Sequence, residues 1–105
     1  MSNLDINRSL NAFLENRGMP LMQFGSAEFA ISRDDAISFL DLLAGAGKKP
    51  LGMEMWRRLG EKFTIDSLGG WYSTGSDIEE NLKSAKEFLC NEMFADNDFV
   101  TVQFD

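Results

Sequence analysis

The side chains in this chain that could do chemistry are carboxylates and a single thiol. Histidine is absent, which removes the commonest general base and the commonest transition-metal ligand. Ser–His–Asp and Cys–His arrangements are therefore excluded. A zinc site needs several Cys or His ligands, and Cys90 is the only cysteine. Cys90 adjoins the apolar stripe of a helix and reads as a small buried hydrophobe rather than a reactive thiol. Glu54, Asp66, Asp77, Glu79 and Glu80 are the carboxylates that could pair for acid–base work. Asp77 and Glu79, however, stand in the first turn of a helix, where acids offset the positive end of the dipole. Nothing matches GxGxxG or a Walker A loop, and Gly69-Gly70 reads as a turn. Asp96, Asn97 and Asp98 lie close together but lack the EF-hand spacing and its closing Glu, so a helix-to-strand turn is expected there. The expectation is a chain with no catalytic residues, no metal and no cofactor, which works by binding another protein.

Charge says something about the partner. The net charge is −7, from 17 acids against 10 bases. Nucleic acid and anionic membrane surfaces are disfavoured, because affinity for phosphate comes from clustered Lys and Arg. A basic protein partner is favoured, since opposite fields speed and orient encounter. The excess is C-terminal. Residues 76–105 hold eight acids against Lys83 and Lys86, a net of −6, whereas residues 48–62 carry a net of +3. Glu80 and Glu87 lie two turns apart on one helix, away from its apolar stripe. A solvated helix surface is the plain alternative, with pairs such as Glu79 and Lys83 at i,i+4.

These residues have to be positioned by elements that the apolar pattern predicts. Residues 4–17 read as a helix with Ile6, Leu10, Phe13 and Leu14 at helical spacing, stopped by Gly18 and Pro20. Residues 21–31 suit an extended segment with a turn or bulge at Gly25. Ser32 reads as an N-cap with Asp35 in the capping-box position, opening a helix over 33–44 that has little polar face. Residues 51–58 and 62–67 read as strands joined around Gly60. Leu68, Gly69 and Gly70 form a loop into Trp71-Tyr72. Ser76 and Glu79 form a second capping box for a helix over 77–94, with Ile78, Leu82, Ala85, Leu89 and Met93 on one stripe. Residues 98–104 alternate as a strand. The order is α-β-α-β-β-α-β, and the predicted fold is α+β, three helices packed on a mainly antiparallel sheet in a single domain spanning 1–105. Met53, Met55, Phe63, Ile65, Ile78, Leu82, Leu89, Val100 and Val102 are the predicted core. A lone cysteine permits no internal disulfide, no apolar run nears the roughly 20 residues of a membrane span, and the N-terminus lacks signal-peptide features. A soluble, cytoplasmic protein is expected.

Trp and Tyr are frequent anchors at protein interfaces. Trp56 lies in a strand beside Arg57 and Arg58, and Trp71-Tyr72 follows the glycine pair. Both tryptophans fit a core as well as an interface. The expected partner-binding residues are Asp66, Trp71, Tyr72, Asp77, Glu80 and Glu87, with Lys48, Lys49, Arg57 and Arg58 as the next cluster.

From Leu51 onward the chain reads LGMEMWRRLGEKFTIDSLGGWYS, then a capped helix with SAKEFL, then a terminal strand. This stretch resembles the small immunity proteins of bacterial polymorphic-toxin and contact-dependent growth inhibition systems, in particular the immunity family numbered forty. That family has a Gly-Gly-Asp-Val-Tyr-like strand, an Asp-Asn-Trp-Tyr-like segment and a helix with a Ser, Ala and aromatic pattern. Gly52 to Trp56 match the first, Asp66 with Trp71-Tyr72 the second, and Ser84, Ala85 and Phe88 the third. Met53-Glu54 replaces the Gly-Asp, and Ser67 to Gly70 separate Asp66 from Trp71. The resemblance covers about half the chain and implies neutralisation of a cognate toxin, often a basic nuclease, by blocking its active site or substrate surface. A small homo-oligomeric or adaptor domain without a toxin partner is the alternative.

Overall fold

The computed structural model describes residues 3–22, 28–60, 62–73, 77–90 and 98–104. Helix α1 spans Asn3–Arg17. Its stop is steric as well as conformational. The Gly18 N–H donates to the Leu14 carbonyl at 2.7 Å, and a Cβ at Gly18 would stand 2.8 Å from the Phe29 Cβ. Only glycine lets the chain turn this close to its neighbour. Residues Met19–Pro20 (β1) and Phe29–Ala30 (β2) then pair antiparallel. Of the predicted extended segment 21–31, Phe29–Ala30 is strand and pairs with β1 just before the segment, and residues 23–27, Gly25 among them, lie outside the described residues. Helix α2 covers Arg33–Gly45, and the Ser32 hydroxyl caps it by accepting from the Asp35 N–H at 3.3 Å. Its outer face is less apolar in effect than its sequence suggests, because Leu42 is exposed.

Strands β3 (Pro50–Leu59) and β4 (Lys62–Tyr72) form a hairpin. Gly60 takes a positive φ of 66° at its turn, a conformation open to glycine at no steric cost. Helix α3 spans Ile78–Leu89, and β5 spans Asp98–Phe104. The α+β fold is as read from the sequence, with three helices and antiparallel sheets in the expected order. No helix among the described residues is long and apolar enough to cross a membrane.

Strand order is β4-β3-β5, which puts β3 in the centre and leaves β4 at an edge. The predicted loop at Leu68 to Gly70 is a correction, because β4 runs through it to Tyr72. The ladder pairs Glu54 with Gly70 and Trp56 with Ile65. Two steps along β3 are therefore matched by five along β4, and Asp66 to Gly69 form a bulge. Glycine tolerates a bulge well, and beyond it Gly70, Trp71 and Tyr72 regain partners on β3.

One face of the sheet meets the helices. Met53, Met55, Val100 and Val102 project from β3 and β5 into a core with Leu10, Phe39, Leu40, Leu43, Leu82, Ala85 and Leu89. The Phe39 ring lies between those of Phe13 and Phe104, at 5.6 and 5.4 Å between centroids. Such aromatic contacts add to simple area burial. Ile78 is half-buried against this core, and the side chains of Phe63 and Ile65 lie outside the described residues. The opposite face holds a smaller cluster, Leu21 and Ala30 over Trp56 with Phe99 beside them. Trp56 is thus a core residue, only 7% exposed.

Candidate functional site

The site is assembled where the edge strand β4 meets α3. Asp77 is the N-cap of α3, its Oδ1 accepting from the Glu79 N–H at 2.9 Å. This corrects the predicted Ser76 capping box, and Ser76 lies outside the described residues. Asp77 wins the cap because its carboxylate accepts from the free amides of the first turn and favours the positive dipole end. The helix ends at Cys90, so the described part is shorter than the predicted 77–94, with 91–97 outside the described residues. Leu82, Ala85 and Leu89 are buried while Glu79, Glu80, Lys83, Ser84 and Glu87 are exposed.

Trp71 fixes the relation between strand and helix. It pairs with Met53, so its side chain is on the helix-facing side of the sheet. There it packs half-buried against the core, and its Nε1 donates to the Ser84 Oγ at 2.8 Å. Asp77, Glu80, Ser84 and Glu87 recur at steps of three and four, which keeps them on neighbouring parts of one helix face. The bond to Ser84 therefore sets Glu80 and Glu87 beside the β4 edge. On the other flank of α3, Lys86 reaches Asp41 of α2 at 2.6 Å. Lys86 therefore stands on the α2 flank of the helix, and Ser84 with Glu80 on the β4 flank.

Tyr72 is one residue further and faces the other way. It pairs with Gly52, on the face away from the helices, and is 62% exposed. Its ring lies across two glycines. A Cβ at Gly52 would stand 3.1 Å from the Tyr72 Cδ1, and one at Gly70 would stand 3.6 Å from its Cε2. Aromatic rings over strand glycines cover the backbone that a missing side chain leaves bare. The Ser73 N–H donates to the Leu51 carbonyl at 3.0 Å. Antiparallel alternation then turns the backbone groups of Tyr72 and Gly70 toward the outer edge.

Of the expected partner-binding residues, the structure brings Trp71, Asp77, Glu80 and Glu87 together around α3 and puts Tyr72 on the opposite side of the same edge. Trp71 and Tyr72 are thus not one anchor, and Tyr72 is the exposed ring of the two. Asp66 lies in the β4 bulge, and its side chain is outside the described residues. Of the basic cluster, the Arg58 side chain lies outside the described residues. The Arg57 Nε donates to the Asp98 Oδ1 at 2.9 Å, and Lys48 and Lys49 are half-buried with interactions of their own. The pairing of Arg57 with a fully buried Asp98 carboxylate was not legible beforehand, because Asp98 resembled a turn residue.

Cys90 departs from its expected role. It is exposed at the C-cap of α3, one residue past buried Leu89, and a step of one residue turns a helical side chain through about 100°. It lines an open groove of about 480 Å³ with Glu79, Leu82, Lys83, Lys86 and Glu87. Glu79 and Glu87 are separated by roughly 12 Å along the helix axis. That spacing does not make the close pair that two-carboxylate chemistry uses. Among the described residues no group of three or more His, Cys, Asp or Glu side chains could hold a metal ion.

Compared with known proteins, the chain matches no protein-family model and no curated sequence.

Proposed function

We infer that this chain is an immunity-type binding protein that neutralises a cognate, basic toxin domain by covering its active site or substrate surface. The observation that carries the reading is the Trp71–Ser84 bond. It joins the edge strand to the helix that displays Asp77, Glu80 and Glu87, and so ties that acidic helix to the sheet edge. Of the residues that carry the family resemblance, Trp71 bonds Ser84 and Ala85 is buried behind them, while Gly52 pairs with Tyr72 on the other face of the same edge. Rim carboxylates steer a basic partner into place, and an exposed aromatic ring at the edge supplies the anchor. Inhibition by occlusion requires no catalytic group from the inhibitor, in keeping with the absence of histidine.

The test is co-expression with the product of the neighbouring upstream gene. That product should arrest growth alone, and this chain should restore growth and bind it directly. Tyr72→Ala should weaken binding about thirtyfold, the cost of removing an aromatic anchor. A non-toxic neighbour, or a self-associating chain with no affinity for it, would replace this reading with the homo-oligomeric or adaptor one.

A further inference from the structure

The two edges of the three-stranded sheet are left in different states. On β5, Val100 exchanges both backbone hydrogen bonds with Ile31, each at 2.9 Å, so that edge is partly covered. On β4 the stretch beyond the bulge, Gly70 to Tyr72, is open. The Ser73 N–H donates inward to Leu51, so antiparallel alternation turns the N–H and C=O of Tyr72 and of Gly70 away from β3. Both residues are exposed, and among the described residues neither has a hydrogen-bond partner on that outer side. The Tyr72 ring does not cover them. It leans back over the sheet, its Cδ1 3.1 Å from a Cβ built at Gly52. Four backbone groups thus face outward at the spacing of a strand.

An outward row of N–H and C=O groups is a template for one more strand. The flank of the edge decides which kind. In a strand added there, the residues opposite Gly70 and Tyr72 would point to the face that carries the Tyr72 ring. The residue between them, opposite Trp71, would point toward α3. On that side stand Ser84, which accepts from the Trp71 Nε1, and Glu80, an exposed carboxylate about one turn earlier on the same flank. A cationic side chain suits this position, and the net charge of −7 favours a basic partner as a whole. We propose that the basic partner adds an extended segment antiparallel to Gly70–Tyr72, with a lysine or arginine opposite Trp71 directed at Glu80. The proposal rests on the reading of this chain as a binder of a basic protein, and not on that protein being a toxin.

The full chain, labelled with ¹⁵N, is mixed with the peptide acetyl-Val-Thr-Lys-Thr-Val-amide at millimolar concentration, and amide hydrogen exchange is followed residue by residue. In the free chain the Gly70 and Tyr72 amides should exchange fast, and the Trp71 amide, turned toward β3, slowly. At roughly twice its Kd the peptide should slow Gly70 and Tyr72 about threefold and leave Trp71 unchanged. N-methylation of the two threonines, whose N–H groups would face β4, should abolish the effect. N-methylation of the lysine, whose N–H would face away, should not. Replacing the peptide lysine by glutamate should weaken binding about fivefold, the upper range of an exposed ion pair, and so should Glu80→Gln. The peptide comparisons use the unaltered chain, so they stand even if the variant misfolds. No slowing at Gly70 and Tyr72, slowing that survives threonine methylation, or equal binding of the glutamate peptide overturns the proposal. Slowing by the lysine peptide in a chain that gives cells no protection would retain the strand site and remove the toxin reading. Protection of cells by a chain whose Gly70 and Tyr72 amides stay fast in the toxin complex would do the reverse.

Discussion

Breaking the Trp71–Ser84 bond should loosen α3 from the sheet by a measurable and specific amount. Trp71→Phe keeps an aromatic ring against the core but removes the Nε1 donor, which stands 2.8 Å from the Ser84 Oγ. A hydrogen bond of this kind contributes about 0.5–1.5 kcal/mol net. Ser84→Ala removes the acceptor, but alanine is the better helix former by about 0.5 kcal/mol at this exposed position. Its net cost should therefore be only about 0.5 kcal/mol. Trp71→Phe should cost more, roughly 1–2 kcal/mol, because some apolar area is lost along with the bond. The double variant should be less destabilised than the sum of the two by about 1 kcal/mol, since the bond can be lost only once. Urea unfolding of the four proteins gives the coupling energy, and melting temperatures should move by roughly 4–8 °C per kcal/mol. Additive effects, within about 0.3 kcal/mol, would show that Trp71 packs on α3 without holding it. The positioning of Glu80 and Glu87 would then need another cause.

Three further outcomes follow from the same geometry. Reversing Glu80 and Glu87 to Lys should slow association with the basic partner roughly tenfold at low salt and flatten its salt dependence, while dissociation changes little. Stopped-flow kinetics across a salt series would contradict this if the on-rate were unmoved. Arg57→Met should destabilise the chain by about 2 kcal/mol in urea unfolding. The Asp98 carboxylate is fully buried and loses its guanidinium, and the cost sits below the usual range for a buried pair because the Arg57 side chain is 42% exposed. A loss under about 0.5 kcal/mol, that of an ordinary surface change, would refute the pairing's role. Chelator should leave the melting temperature unchanged, and a fall of several degrees would reveal a structural metal.

Much of the local structure was legible in the residues themselves. The spacing of Leu10, Phe13 and Leu14, the Ser32 cap, the stripe of Leu82, Ala85 and Leu89, and the alternation of Val100 and Val102 each depend on neighbours within a few positions. Periodicity and capping act at that range, so the helices, the hairpin at Gly60 and the α+β class were within reach. The site depended on long-range pairing. Gly69-Gly70 has the composition of a loop, and only the availability of Glu54 and Gly52 across the ladder kept β4 extended through Tyr72. That continuation decided that Trp71 and Tyr72 face opposite ways, because side chains alternate only where the strand persists. Trp71 met Ser84 through the packing of α3 on the sheet. Arg57 met Asp98 across 41 residues of chain. A sequence specifies which residues want burial or a cap. Which charged and polar groups end up facing one another is set by strand order and register, and those are chosen by the free energy of the whole packed chain.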